Sequence, residues 1–159
     1  MARQLQTFGY EGLTIQAFIE RLKRAGTEVV VDVRANPLSR KHGFSKKSFA
    51  VYLEEAGIQY VHSIGVGCPK PVRDRYKADG DWAAYTAGFK KYLKGRTDDV
   101  AQIAAIAKSA STCLVCFEED HERCHRKFVA DAAAAVGGLH VVHLSIRTAT
   151  PAAAVRSAA

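Results

Sequence analysis

Cys124, His125 and Arg126 put a thiol, an imidazole and a guanidinium on consecutive residues, shortly after Cys116 and Glu118. A cysteine at a helix start beside cations has a lowered pKa, as a nucleophile requires. His125 is then a proton carrier, and Glu118 or Asp32 the acid or base. Cys116, Cys124, His125 and Glu118 are also ligand types suited to zinc, structural or catalytic. Their spacing is not that of a zinc finger, and an adjacent Cys-His pair is an awkward chelate for one ion. Nor is there room between Cys124 and Arg126 for the backbone cradle of a phosphatase-type loop. A packed structural cysteine is the remaining reading, and the residues alone leave these open.

Arg34 and Arg126 form a candidate anion clamp, because guanidinium forks match phosphate oxygens two at a time. Arg126 lies in a first helical turn, where backbone N–H groups also favour anions. The opposing reading is internal pairing with Asp32 or Glu118. Asp32 and Arg34, two residues apart at a strand end, share a face. Glu11, Asp32 and Glu118 could supply a general base or a magnesium site.

Alternating elements must position these groups. A short strand over 5–8 ends at a two-glycine turn. Thr14 caps a helix over 15–25, in which Ile15, Phe18, Ile19 and Leu22 recur at helical spacing. The run Val29, Val30, Val31 and Val33 has the continuous apolar character of a strand covered on both faces. Further expected elements are a helix over 46–56 capped by Ser45, a strand over 59–62, helices over 72–78, 82–94 and 98–110, and a central strand over 112–117. A helix opening at Cys124 and a strand over 139–144 complete the set. Trp82, Tyr85, Phe89 and Leu93 recur at three and four and read as core rather than as a base-stacking platform.

This alternation predicts a Rossmann-like three-layer α/β sandwich with a mainly parallel sheet of about five strands. Right-handed crossovers then bring all strand C-termini to one edge, where ligands bind in such sheets. Tyr10, Glu11, Asp32, Arg34, His62, the Cys68 loop, Glu118 and Cys124-His125-Arg126 meet there. Residues 1–145 are expected to form a single domain, with 146–159 a loosely ordered Ala-rich tail.

The 23 Lys and Arg against 16 Asp and Glu leave a net charge of +7. That bias favours anionic partners, whether phosphorylated small molecules, nucleotides or nucleic acid. No zinc-finger, RNA-recognition or helix-turn-helix pattern narrows the choice. Apolar runs are too short to span a bilayer and no signal-peptide pattern is present, so the four cysteines read as reduced cytoplasmic thiols. Neither membrane association nor an oligomeric state follows.

Several separated stretches together resemble the bacterial and archaeal family catalogued as domain of unknown function 488. They are Phe8-Gly9-Tyr10-Glu11-Gly12, Val31-Asp32-Val33-Arg34 with Asn36-Pro37 and Ser39, Ala56-Gly57-Ile58-Gln59-Tyr60, Cys116-Phe117-Glu118, and Cys124-His125-Arg126. The resemblance covers roughly 5–144 and implies an α/β fold with a site built from these stretches, but no activity. It adds Ser39 to Tyr10, Glu11, Arg34 and Arg126 as substrate-binding candidates. Where relatives often have Leu-Gly-Gly, this chain has Val66-Gly67-Cys68-Pro69-Lys70, so Cys68 is not expected in a shared site. The expected function is an enzyme, hydrolase or group transferase, on an anionic, phosphate-bearing or nucleic-acid-derived substrate. The alternative is a non-catalytic nucleotide- or nucleic-acid-binding domain.

Overall fold

The computed structural model describes residues 3–146; the Ala-rich tail lies, from 147 onward, outside the described residues. The strands are β1 (Gln4–Gly9), β2 (Val29–Asp32), β3 (Gln59–His62), β4 (Thr112–Cys116) and β5 (His140–His143). They form one sheet in the order β3-β2-β4-β1-β5, with every pairing parallel. The helices are α1 (Ile15–Arg24), α2 (Lys46–Glu55), α3 (Lys70–Asp79), α4 (Trp82–Lys94), α5 (Thr97–Ser109) and α6 (Arg126–Gly137). The result is a three-layer, Rossmann-like α/β sandwich.

Strand alternation sorts the core onto two faces. Val30, Cys113 and Val115 pack with Phe18 and Leu22 of α1 and Phe49 and Leu53 of α2. Val29, Val31, Leu114 and Cys116 pack with Phe89 of α4, Ile103 of α5 and Val129 and Ala133 of α6. The chain leaves β2 toward β3 on one side and leaves β4 toward β1 and β5 on the other. The C-terminal ends of β2 and β4 therefore flank the point where the strand order reverses, the usual ligand position in open α/β sheets. No helix among the described residues is long and apolar enough to cross a membrane.

Local signals explain most boundaries. Thr14 Oγ1 accepts from Ala17 N at 3.1 Å and caps α1, and Asp81 Oδ1 accepts from Ala84 N at 3.0 Å and caps α4. Ser45 stands at the N-cap of α2 without a side-chain cap bond. Its hydroxyl instead donates to Ser39 O and accepts from Ser39 N, both at 3.0 Å, closing the preceding loop. The last helix begins at Arg126, with His125 as N-cap, so Cys124 lies outside it in extended conformation.

His143 on β5 carries a pH-dependent contribution to stability. Its Nδ1 is hydrogen-bonded with Thr7 Oγ1 at 2.7 Å, and its ring stacks on His121 at 3.7 Å. Burial, then the neighbouring charges of His121 and Arg126, push its pKa down to about 4. An unfolded histidine titrates at about 6.5. The folded state thus binds fewer protons between these values, and stability must fall as pH drops from about 6.5 to about 4. A His143 NMR titration midpoint near 4, with a melting temperature declining through this window and a shallower decline in His143→Gln, is the expected result.

Candidate functional site

A cleft of about 430 Å³ opens over the C-terminal ends of β2 and β4. Its walls come from the loop after β2, from α3, from the start of α4 and from the loop between β4 and α6. Its floor includes Cys68, Cys116, Glu118 and His125.

The floor is assembled from both sides of the 118–123 loop. Cys124 has extended backbone and His125 is helical, and this bend turns the two side chains toward one point. Cys116 Sγ and Cys124 Sγ each lie 3.9 Å from His125 Nδ1. His125 Nε2 is 2.7 Å from Val33 O. A carbonyl can only accept, so Nε2 carries the proton and Nδ1 faces the two sulfurs. Glu118 Oε2 accepts from Cys116 Sγ at 3.4 Å. The donor atoms of Cys116, Cys124 and His125 all lie within 4.8 Å of one another and could hold a metal ion.

The two thiols differ electrostatically. Burial opposes ionisation of Cys124, but hydrogen bonds from Cys116 and His125 and the charges of His125 and Arg126 outweigh it and hold this thiol well below its ordinary range. Cys116 is pushed up by its hydrogen bond to Cys124 and by burial. Burial and the Cys124 charge raise Glu118. Burial works to lower His125, and Cys124 reverses the sign and raises it. The expected depression at Cys124 is present, but from side-chain neighbours rather than from a position inside the helix. Cys124 is only 1% exposed and does not line the cleft, whereas Cys116 does.

The two arginines diverge from the clamp geometry. Arg34 is held by its neighbours: Nε donates to Asp32 Oδ1 at 2.9 Å, Nη2 to Asp32 Oδ2 at 2.7 Å, and Nη1 to Tyr10 Oη at 3.1 Å and Phe44 O at 2.6 Å. Asp32 is fully buried and also accepts from Tyr60 Oη at 2.7 Å and Arg34 N at 3.1 Å. The internal pair is the arrangement observed, and Asp32 is walled off from the cleft. Arg34 and Tyr10 line it at their edges.

Arg126 is fully buried. Its Nε donates to Thr7 Oγ1 at 3.2 Å, Nη1 to Glu118 O, and Nη2 to Glu119 O at 3.1 Å. It ties down the loop that carries Glu118 and has no face on the cleft. Arg34 and Arg126 thus sit with separate partners and do not converge on one anion. Glu11 is also a loop tie, accepting from Glu119 N at 3.0 Å. Ser39 lines the cleft, with Oγ accepting from Lys41 N at 3.1 Å.

Other cations line the cleft instead: Arg40, Arg73, Lys77 and Arg123. Among the described residues none of the four is ion-paired. Arg73 and Lys77 are one turn apart on α3, and Arg123 lies 5.7 Å over the Trp82 ring. Trp82 stacks on Tyr85 at 4.6 Å, with Tyr76 edge-on at 5.4 Å to Trp82. The aromatic stripe of α4 serves both: Tyr85, Phe89 and Leu93 are core residues with Trp82 packed against them half-buried, and the Trp82 and Tyr85 end of the stripe also lines the cleft. Cys68 also belongs to the floor. The basic run over 70–77 is the sequence signal for Arg73 and Lys77; the Cys68 loop is expected at this edge, and Cys68 itself lines the cleft although the departure from the family pattern speaks against it.

A family model described as a domain of unknown function, DUF488, matches residues 14–133. No curated protein and no solved structure matches the chain. The matched span includes Asp32, Arg34, Cys116, Glu118, Cys124 and His125, and stops short of Gly9 and Tyr10.

Proposed function

The chain belongs to the DUF488 family, a domain of unknown function, and on the geometry of its cleft we propose that it is an enzyme acting by hydrolysis or group transfer on an anionic, phosphate-bearing or nucleic-acid-derived substrate. One observation carries this reading. Among the described residues, four cations without carboxylate partners, Arg40, Arg73, Lys77 and Arg123, overlook a floor of Glu118, His125 and Cys116, and Glu118 is the only carboxylate that lines the cleft.

The residues divide the work. Arg73 and Arg123 hold the anion, since charge-assisted hydrogen bonds are the strong ones and both are placed on the cleft wall. Trp82 and Tyr85 supply a flat apolar surface for the rest of the substrate. Glu118, fixed at the cleft floor through its backbone by Arg126, is within reach of a reacting group and serves as proton acceptor or donor. The Cys116–Cys124–His125 group lies behind it. Anion binding alone does not require that cluster, which is why catalysis leads over simple binding.

Calorimetric titration with phosphate, pyrophosphate and mononucleotides tests the binding half. At least one should saturate, weaken as salt rises, and lose roughly 10- to 100-fold in affinity in Arg73→Gln and Arg123→Gln, the worth of a charged hydrogen bond. Failure of all of them to bind would sink the reading. Turnover of a panel of phosphate esters should then fall by roughly 10²- to 10⁴-fold in Glu118→Gln, with affinity kept. The aromatic wall of Trp82, Tyr76 and Tyr85 favours, as second reading, a nucleotide-binding domain without catalysis. Binding with no turnover of any ester would select it.

A further inference from the structure

We propose that Cys116 Sγ, Cys124 Sγ and His125 Nδ1 form a zinc site whose fourth position opens toward Glu118 and the cleft. Zinc takes thiolate sulfur at about 2.3 Å and imidazole nitrogen at about 2.0–2.1 Å, so tetrahedral donors stand about 3.5–3.8 Å apart. Both sulfur-to-Nδ1 separations are already 3.9 Å, and all three donors lie within 4.8 Å. A contraction of a few tenths of an ångström at the sulfur–nitrogen edges, and of at most about 1 Å between the sulfurs, completes the triangle.

The surroundings match a metal site in a second, independent way. Metal-bound histidines donate their other ring N–H to a carbonyl or carboxylate, which fixes tautomer and orientation. Val33 O does this for His125 Nε2 at 2.7 Å and turns the Nδ1 lone pair onto the sulfurs. Phe89 packs edge-on against the imidazole at 5.2 Å and shields it from the opposite side. Two thiols and one imidazole are a soft donor set, which selects zinc over magnesium or calcium.

Three protein ligands and one open position are the pattern of catalytic zinc, whereas structural zinc is closed by four. Glu118 Oε2 lies 3.4 Å from Cys116 Sγ and lines the cleft. It is outside the donor cluster and is placed to act as a proton acceptor beside the open position. Ion binding by the three donors stands apart from the proposed function. A part for the ion in turnover rests on that reading.

The test uses full-length protein purified without a metal-chelating tag and kept reduced. Zinc is titrated against a chromophoric chelator, and cobalt(II) is titrated as a spectroscopic substitute. The expected result is one equivalent of zinc and a cobalt spectrum with thiolate-to-metal charge transfer. Cys116→Ser, Cys124→Ser and His125→Gln should each weaken zinc by more than the roughly 10- to 100-fold that loss of an outer partner costs. Cys113→Ala, on the opposite face of the sheet, should keep both stoichiometry and charge transfer. Should the ligand variants unfold, the wild-type protein still decides: X-ray absorption of the zinc-loaded protein must show two sulfur neighbours at about 2.3 Å and at least one nitrogen at about 2.0–2.1 Å. Sub-stoichiometric zinc, cobalt bound without charge transfer, or a zinc shell without two sulfurs overturns the site. Phosphate binding through Arg73 and Arg123, measured on the metal-free protein, would be untouched by that outcome, so the two proposals fail separately.

Discussion

Gly9→Ala is expected to displace the Glu118 loop and empty the cleft floor of its geometry. Gly9 ends β1 opposite Cys116, and a methyl group built on it overlaps the carbonyl of Glu118. The obstruction is backbone, not the tip of a movable side chain. That backbone is pinned from three directions: by Arg126 through Glu118 O and Glu119 O, by Glu11 N donating to Phe117 O at 2.8 Å, and by Glu11 Oε1 accepting from Glu119 N. Relief must come from breaking some of these bonds. Overpacking of a core typically costs about 1–3 kcal/mol, and loss of a buried charged hydrogen bond adds about as much again. A melting temperature lowered by roughly 10 °C is expected at about 2–4 °C per kcal/mol. Zinc affinity and anion binding should fall with it. Gly88→Ala is the control. Its added methyl meets only Val72, at 3.5 Å, inside a helix where alanine outranks glycine by up to about 1 kcal/mol. It should melt at or above the wild-type temperature. Equal melting temperatures for Gly9→Ala and wild type would show that the close approach is not a constraint.

The second large effect is expected at the buried ion pair. Asp32 is fully buried and Arg34 nearly so, and the two share paired hydrogen bonds. Asp32→Ala leaves a guanidinium among Tyr10, Phe44 and Phe49 with no counter-charge. Breaking such a pair from one side costs about 3–5 kcal/mol, because the remaining charge is buried and unpaired. A fold stable by about 5–15 kcal/mol loses a large share of that margin. Removing both charges, as in Asp32→Ala with Arg34→Met, should recover at least half of the loss, since a desolvated pair is often replaceable by apolar groups. Denaturant melts of wild type, single and double variants check this. A double variant no more stable than Asp32→Ala would mean that the packing of Arg34, and not its charge, is what matters. The same pair anchors the loop carrying Ser39 and Arg40, so anion affinity should follow stability across the three proteins.

Charge was the point at which local reading and folded arrangement parted. Arg34 and Arg126 look like equivalent anion ligands because both stand at the sheet's C-terminal edge. Their partners decide otherwise. Arg34 meets Asp32 two residues away, which strand geometry anticipates. Arg126 meets Thr7, 119 positions earlier, together with two carbonyls of its own loop. No local pattern encodes that meeting. Cys124 illustrates the same limit: His125 and Arg126 help to lower its pKa, but Cys116, the first of the groups that lower it, reaches it only through the fold.

What the sequence by itself determined is the architecture and the edge where chemistry collects. Period-two and period-three-to-four apolar patterns, helix caps and glycine stops are local properties, so the alternation of strands and helices follows from short stretches of chain. Parallel strands joined by helices leave one C-terminal edge, and Cys116, Glu118, Cys124, His125, Asp32 and Arg34 were all legible as belonging to it. Only the tertiary structure decided which of them face a ligand and which hold the fold together. It recruited Arg73, Lys77, Trp82 and Arg123 to the cleft and joined His125 to Val33 across 92 positions. The reason is physical. A buried polar group must find its hydrogen-bond partner wherever the folded chain brings one, and that partner is fixed by packing in three dimensions rather than by spacing along the chain.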